Sequence, residues 1–342
     1  MGTMGSTHKF GVLDLIRAGL QDLDMARELL DELHADGIDD DQLHLLMETL
    51  EKTCDPDVAL RNLVDIIKAL QSQGRDFRQV ITDNEGLVRL VTVLGVSDEM
   101  GKLMRFRPEL VMAAASDSCE SHLYNHAQRR AHVLEAVGAD PVDSRTPKAS
   151  KPLAEAATAL RQTYRKQLAA IMAQDTTAED PIEIQPRISQ ELSDLADAAL
   201  EGALAIARNE VDGSEHVRFA IIGMGKLGAR ELNYVSDVDL IYVVEPADKD
   251  TNGMTLNRVG TKMATTLQRV CQSVIMGVAE PTLWQIDGGL RPEGKDGPLV
   301  RKLESHEAYY EQWAENWEFQ ALLKARPVAG DPDLGQAYMD MT

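Results

Sequence analysis

Two apolar runs, Arg218–Ile222 and Val238–Val244, are separated by only 15 residues, which begin Gly223-Met-Gly225-Lys-Leu-Gly228. Each run is short and bounded by charge or glycine, so each reads as a buried β-strand. The glycine spacing matches the dinucleotide fingerprint G-x-G-x-x-G letter for letter. That fingerprint needs a full crossover helix before the next parallel strand. Ala229–Ser236 is eight residues long, too short for one, which argues against a dinucleotide-binding unit. What remains is a glycine-rich turn after a strand. Its backbone N–H groups can approach phosphate oxygens, and Lys226 adds a cation.

Asp237 and Asp239 open the second run. Residues i and i+2 of a strand project to one face, so both carboxylates point to one place. Like charges that close repel unless a cation offsets them. Two hard oxygen ligands suit Mg²⁺, which keeps waters and substrate phosphates in its other positions. A solvated strand end is the alternative, and the glycine turn upstream favours the metal. Asp287 is expected to end a third strand, Thr282–Ile286. Gly288, Gly289, Gly294 and Gly297 then let the backbone turn closely around a ligand. Arg291 and Lys295 supply positive charge there. A third acid beside a metal pair, with cations behind it, suits in-line phosphoryl or nucleotidyl transfer. A salt bridge from Arg291 to Glu293 and a plain hairpin are the structural alternatives. Over His306–Lys324 the aromatics Tyr309, Tyr310, Trp313, Trp317 and Phe319 recur at helical spacing and read as core. Lys324 and Arg326 suit the C-terminal end of that helix through the macrodipole, and with Glu318 they are further site candidates.

The formal net charge of −21 argues against sequence-independent binding to nucleic acid or to an anionic membrane, although a local basic patch occurs near the C-terminus. Cys54, Cys119 and Cys271 are odd in number, far apart and without metal-ligand spacing, so they read as free thiols in a reducing compartment. Met1–Lys9 is polar and precedes no apolar stretch long enough for a leader or a span, which predicts a cytoplasmic protein. Gln336–Thr342 reads as a helix stopped midway, so the chain is expected to be a piece of something longer.

Upstream of Arg218 the pattern is helical. One helix is expected from Leu13 past Leu33, ended by Gly37. A second opens at Asp55 and stops at Gly74, a third surrounds Leu87–Leu94, and a more polar one covers Glu120–Ala136. Ala139–Pro152, with three prolines, reads as a linker, and two more helices follow, over about 153–172 and 188–209, separated by the Asp/Thr/Pro-rich stretch 175–187. Thr255–Met276 is expected to be helical as well. The division predicted is a helical domain over 1–140, linker and packing helices over 141–217, and an α/β domain over 218–342.

Three stretches are specific enough to carry a resemblance: GMGKLGARELNYVSDVDLIYVVEP, LRPEGKDGPLVR and YYEQWAENWEFQALLKARPVAGD. Together they resemble the glutamine synthetase adenylyltransferase family, two-headed enzymes that add and remove AMP. LRNLVDIIKAL and GLVRLVTVLGVSDEMGKLMRFRPEL are similar to that family's N-terminal helices. The resemblance implies an α+β fold, an all-helical region followed by a DNA polymerase β-like nucleotidyltransferase domain with a small mixed sheet. It implies that Asp237, Asp239 and Asp287 are catalytic and hold Mg²⁺. It further implies that Gly225, Lys226, Gly228, Ser236, Arg291, Glu293, Lys295, Lys324 and Arg326 bind nucleotide or phosphate. Gly289 stands where many members have arginine, and Ala229 where glycine is usual. The position of the catalytic segment after the helices, with the NYVSDVD wording, resembles the N-terminal, adenylyl-removing head. That head takes AMP from a tyrosine of glutamine synthetase, with phosphate as acceptor and ADP as product. The partners implied are adenylylated glutamine synthetase and a PII signalling protein. A forward transferase using ATP, or a silent docking module, are the other readings.

Overall fold

The computed structural model describes residues 10–116, 125–249 and 251–342, apart from the Gln79 side chain. The chain forms two compact units: one of 1–123 with 165–185, the other of 124–164 with 186–342.

The first unit holds α1 (Val12–Arg17), α2 (Leu23–Ala35), α3 (Asp40–Leu50), α4 (Pro56–Ser72), α5 (Phe77–Val80), α6 (Asn84–Val96), α7 (Asp98–Met104) and α8 (Pro108–Ala115). Side chains of Asp22, Asp39, Asp55, Asp76, Asp83 and Ser97 accept first-turn N–H groups at the starts of α2 to α7, which explains where those helices begin. The single helix expected over Leu13–Leu33 is two helices, because Gly19 takes φ +78° and ends α1. In α6 Leu87, Leu90, Val91, Val93 and Leu94 are all buried, making it the central helix of this unit's core. Ala169, Met172 and Ala173 complete that core.

The second unit includes α9 (His126–Val137), which Asn125 caps through Gln128 N–H; the polar helix is expected from Glu120, and residues 120–124 lie outside the described residues. Next come α10 (Leu153–Thr176) and α11 (Pro181–Glu210), which contribute residues up to 164 and from 186 onward to this unit. The expected linker is tied down. Arg130 donates to the carbonyls of Pro141 and Asp143, Arg208 to those of Arg145 and Pro147, and Ala149 N–H to Ala205. The expected 175–187 break shrinks to residues 177–180, with Pro186 inside α11. From Leu192 to Arg208, α11 is buried almost all round.

The sheet comprises β1 (Val217–Gly223), β2 (Val238–Pro246), β3 (Ile286–Asp287), β4 (Val300–Arg301) and β5 (Arg326–Gly330), with the one-turn α12 (Gly225–Gly228) after β1 and α13 (Gly253–Gln272) after β2. Its order is β3-β2-β1-β5, with β4 also on β2. β1 runs antiparallel to β2 and β5, while β3 and β4 run parallel to β2, so the sheet is mixed and the fold is α+β. Alternation explains the layering. Ala220, Ile222, Ile241 and Val243 face Leu322, Leu334 and Tyr338, whereas Val244 meets Gly260 of α13 on the other side. Two expectations fail here. The third strand keeps only Ile286–Asp287, because Leu283 N–H and Ile286 N–H are taken by the Cys271 carbonyl and the Gln272 side chain. The aromatic helix is two, α14 (Leu303–Gln312) and α15 (Asn316–Leu322), before α16 (Pro332–Met341). Nor is it all core: Trp313 is 72% and Trp317 52% exposed.

Candidate active site

β2 begins immediately after Asp237, Asp239 is its second residue, and Asp239 is the register partner of Asp287 on β3. Val238 and Leu240 are buried on the opposite face. Pleating and pairing therefore bring the three acids together, with one oxygen of each within 4.8 Å of the others. Burial, then the charges of Asp237 and Asp287, push the Asp239 carboxyl upward, and Lys226 opposes them. Among the described residues none of the three makes a salt bridge. An all-oxygen set that repels itself fits a hard divalent cation, and Asp237, Asp239 and Asp287 would hold it.

The glycine turn sits against this cluster. Met224 N–H donates to the Asp239 carbonyl at 2.9 Å. Gly225 has φ +52°, and a Cβ there would collide with Asp239 Oδ2, so glycine is required by both conformation and space. Gly228 is equally confined, against the Lys324 carbonyl. The exposed Lys226 ammonium lies 3.4 Å from Oγ of Ser236, which is next to Asp237 in the chain. Ala229 sits at φ −75°, so the alanine found there meets no strain.

On the third side, Gly289 N–H donates to Asp287 Oδ1 at 2.7 Å. Arg291 braces its own loop, donating to the carbonyls of Gly288, Lys295 and Gly297. Its expected partner Glu293 instead pairs with Arg301 at 2.8 Å. Lys295 is exposed. Lys324 pairs with Glu231 at 2.8 Å. Arg326 points away from the acids, to Asp197 and to the carbonyls of Leu227 and Gly228. Glu318 is buried and accepts from Tyr309 Oη and Glu315 N–H.

Sequence reasoning missed the acids of α11. His126, Asp194 and Asp197 form a second cluster with candidate ligand atoms within 4.8 Å. Both acids already face arginines, Arg230 at 2.9 Å and Arg326 at 2.5 Å, which makes this an ion-pair network. The available signal was an Asp-x-x-Asp spacing inside an alanine- and leucine-rich helix, where a charge is costly unless paired.

Residues 87–341 match the glutamate-ammonia ligase adenylyltransferase family. The chain belongs to that family. It is 74% identical over 337 residues to the bifunctional glutamine synthetase adenylyltransferase/adenylyl-removing enzyme of Bifidobacterium longum strain DJO10A, covering 98% of this chain and 31% of that protein. The enzymes of the same name from Cutibacterium acnes and Streptomyces coelicolor are 40% and 38% identical, over 96% and 95% of this chain and 33% and 30% of theirs. The chain thus spans about a third of the length of these curated relatives. The family match takes in the glycine turn, all three acids and the 288–301 loop. No helix among the described residues is long and apolar enough to cross a membrane.

Proposed function

We propose that this site catalyses nucleotidyl transfer on a tyrosine of glutamine synthetase, in the direction that removes AMP. The observation that carries the transfer chemistry is the convergence of three carboxylates, two of them register partners on parallel strands, beside a glycine turn. The direction is supported by the order of helical unit and catalytic sheet and by the NYVSDVD segment, which resemble the adenylyl-removing head.

In this reading a phosphate oxygen attacks the AMP phosphorus in line, the bond from phosphorus to the tyrosine oxygen breaks, and ADP leaves while the tyrosine oxygen takes up a proton. Mg²⁺, when bound, supplies charge neutralisation at the phosphoryl oxygens. Phosphate is already anionic at neutral pH, so Asp287 serves as a ligand and not as a base. The turn Gly225–Gly228 and Lys226, with Ser236 beside it, hold phosphate oxygens. Lys295 is exposed and can approach the substrate, while Arg291 keeps the 288–297 loop in shape around Asp287. A PII signalling protein is the proposed regulator.

Incubation with adenylylated glutamine synthetase and Mg²⁺, with and without phosphate, tests the direction. ADP that appears only with phosphate is expected. Pyrophosphate release from ATP, with no phosphate-dependent ADP, would overturn the direction and identify the forward transferase.

A further inference from the structure

The middle of α11 is apolar, with Ala196, Ala198, Ala199, Leu200, Ala203 and Leu204 all buried. A fully buried acid there is costly unless it is paired. The Asp197 side chain has no exposure, and it accepts from both terminal nitrogens of Arg326, at 2.5 and 3.1 Å. The same guanidinium donates through Nε to the Gly228 carbonyl at 3.2 Å and through Nη2 to the Leu227 carbonyl at 3.0 Å.

Those two carbonyls belong to the peptide planes that carry the N–H groups of Gly228 and Ala229. These N–H groups bond back to Met224 O at 2.9 Å and Gly225 O at 3.2 Å. Met224 in turn donates to the carbonyl of Asp239. An unbroken chain of hydrogen bonds therefore runs from α11 through Arg326 and the glycine turn to the strand carrying the catalytic acid. The same stretch of α11 holds the next residues too. Asp194 pairs with Arg230, which sits at φ +59°, and Ser193 Oγ accepts the Leu232 N–H.

We infer that Asp197, acting through the planar fork of Arg326, is a positioning residue that sets the orientation of the Gly225–Gly228 turn against Asp239. This rests on the nucleotidyl-transfer reading above. A guanidinium can grip a carboxylate and two carbonyls in one plane, which an ammonium cannot. Displacement of a phosphate-holding turn by about 1 Å is enough to slow transfer by up to roughly a hundredfold.

The test uses the full chain with Arg326→Lys and with the paired change Asp197→Asn/Arg326→Gln. Arg326→Lys keeps the charge pair and loses the fork. Its turnover is expected to fall about tenfold or more with KM for the adenylylated protein little changed. Hydrogen exchange at Gly225–Ala229, measured without substrate, is expected to quicken in both variants. The neutral pair leaves no buried unpaired charge, so its melting temperature is expected near that of the unmodified chain while its turnover stays low. Recovery of normal turnover by the neutral pair would reduce Asp197–Arg326 to a structural ion pair and overturn the inference. Unchanged exchange at the turn in Arg326→Lys would overturn it as well. An unmodified chain without phosphate-dependent turnover, whose variants still show quickened exchange at the turn, removes the proposed reaction and leaves the positioning intact.

Discussion

At the scale of single residues, Asp239 is the point where fold and site conflict. It is half-buried, faces two other carboxylates, and makes no salt bridge among the described residues. Its charge is a cost to the metal-free protein. Asp239→Asn is therefore expected to keep the fold and to leave the metal-free melting temperature unchanged or a few degrees higher. Mg²⁺ should raise the melting temperature of the unmodified chain and should fail to do so in this variant. Turnover should fall by about a hundred- to a thousandfold or more, as expected when a group needed for charge stabilisation is lost. Thermal denaturation with and without Mg²⁺, alongside the ADP assay, checks all three. Gly225→Ala is a different kind of lesion. The left-handed backbone costs about 1 kcal/mol for alanine, and the new methyl group must displace Asp239 Oδ2. A loss of about a hundredfold in turnover with a modest loss of stability is the expected outcome.

At the scale of elements, the site depends on pairings between segments distant in the chain. β2 and β3 meet over two residues only, Val238 with Ile286 and Asp239 with Asp287, so the third acid depends on a very short ladder. α14 shows how its own packing responds to pH. His306 is fully buried between Tyr310 and Tyr338, and among the described residues neither ring nitrogen has a hydrogen bond of ordinary geometry, the Tyr242 backbone giving only a weak opposing interaction. Burial, and then the positive charge of Arg301, push its pKa down from 6.5 to about 3. Below pH 6.5 the unfolded chain then binds a proton that the folded unit refuses. This contribution to stability is fully present above pH 6.5 and is lost as pH falls from there toward about 3. The slope is about 1.4 kcal/mol per pH unit. Melting temperatures between pH 7 and pH 4 should fall more steeply for the unmodified chain than for His306→Phe. Equal slopes would show that His306 does not govern this acid limb.

At the scale of the molecule, two compact units are interleaved along the chain, and each draws on residues that a linear division would assign to the other. A fragment ending at residue 140 lacks Ala169, Met172 and Ala173, which close the core around α6. Such a fragment is expected to melt broadly and to bind a hydrophobic dye, which the full chain, with this core closed, is not expected to do before its own transition. A sharp transition of normal enthalpy in the fragment would show that this closure is dispensable.

Much of this was legible from local patterns. The start of α4 was readable because Asp55 could cap it, whereas the equally capped starts at Asp22, Asp39, Asp76 and Ser97 did not stand out. β1, β2 and the spacing that excludes a dinucleotide-binding unit followed from two apolar runs and the glycines between them. Asp237 and Asp239 were readable as one site because two residues on one strand share a face whatever surrounds them. These features depend on interactions within a few residues, which the order of side chains settles. The extent of β3, the break between α14 and α15 and the anchoring of the proline-rich segment 139–152 were not readable. Two of these depend on partners outside the segment itself, Cys271 and Gln272 for the residues before β3 and Arg130 and Arg208 for the loop, while the α14/α15 break rests on a local cap, Glu315 N–H donating to Glu318. The direction of Arg291 and Arg326 was equally hidden, since a guanidinium goes to whichever acceptors the fold brings within reach. The chain alone thus specified which groups could do chemistry. Tertiary structure decided which of them meet, because meeting depends on burial and register between segments up to 129 residues apart, as with Asp197 and Arg326.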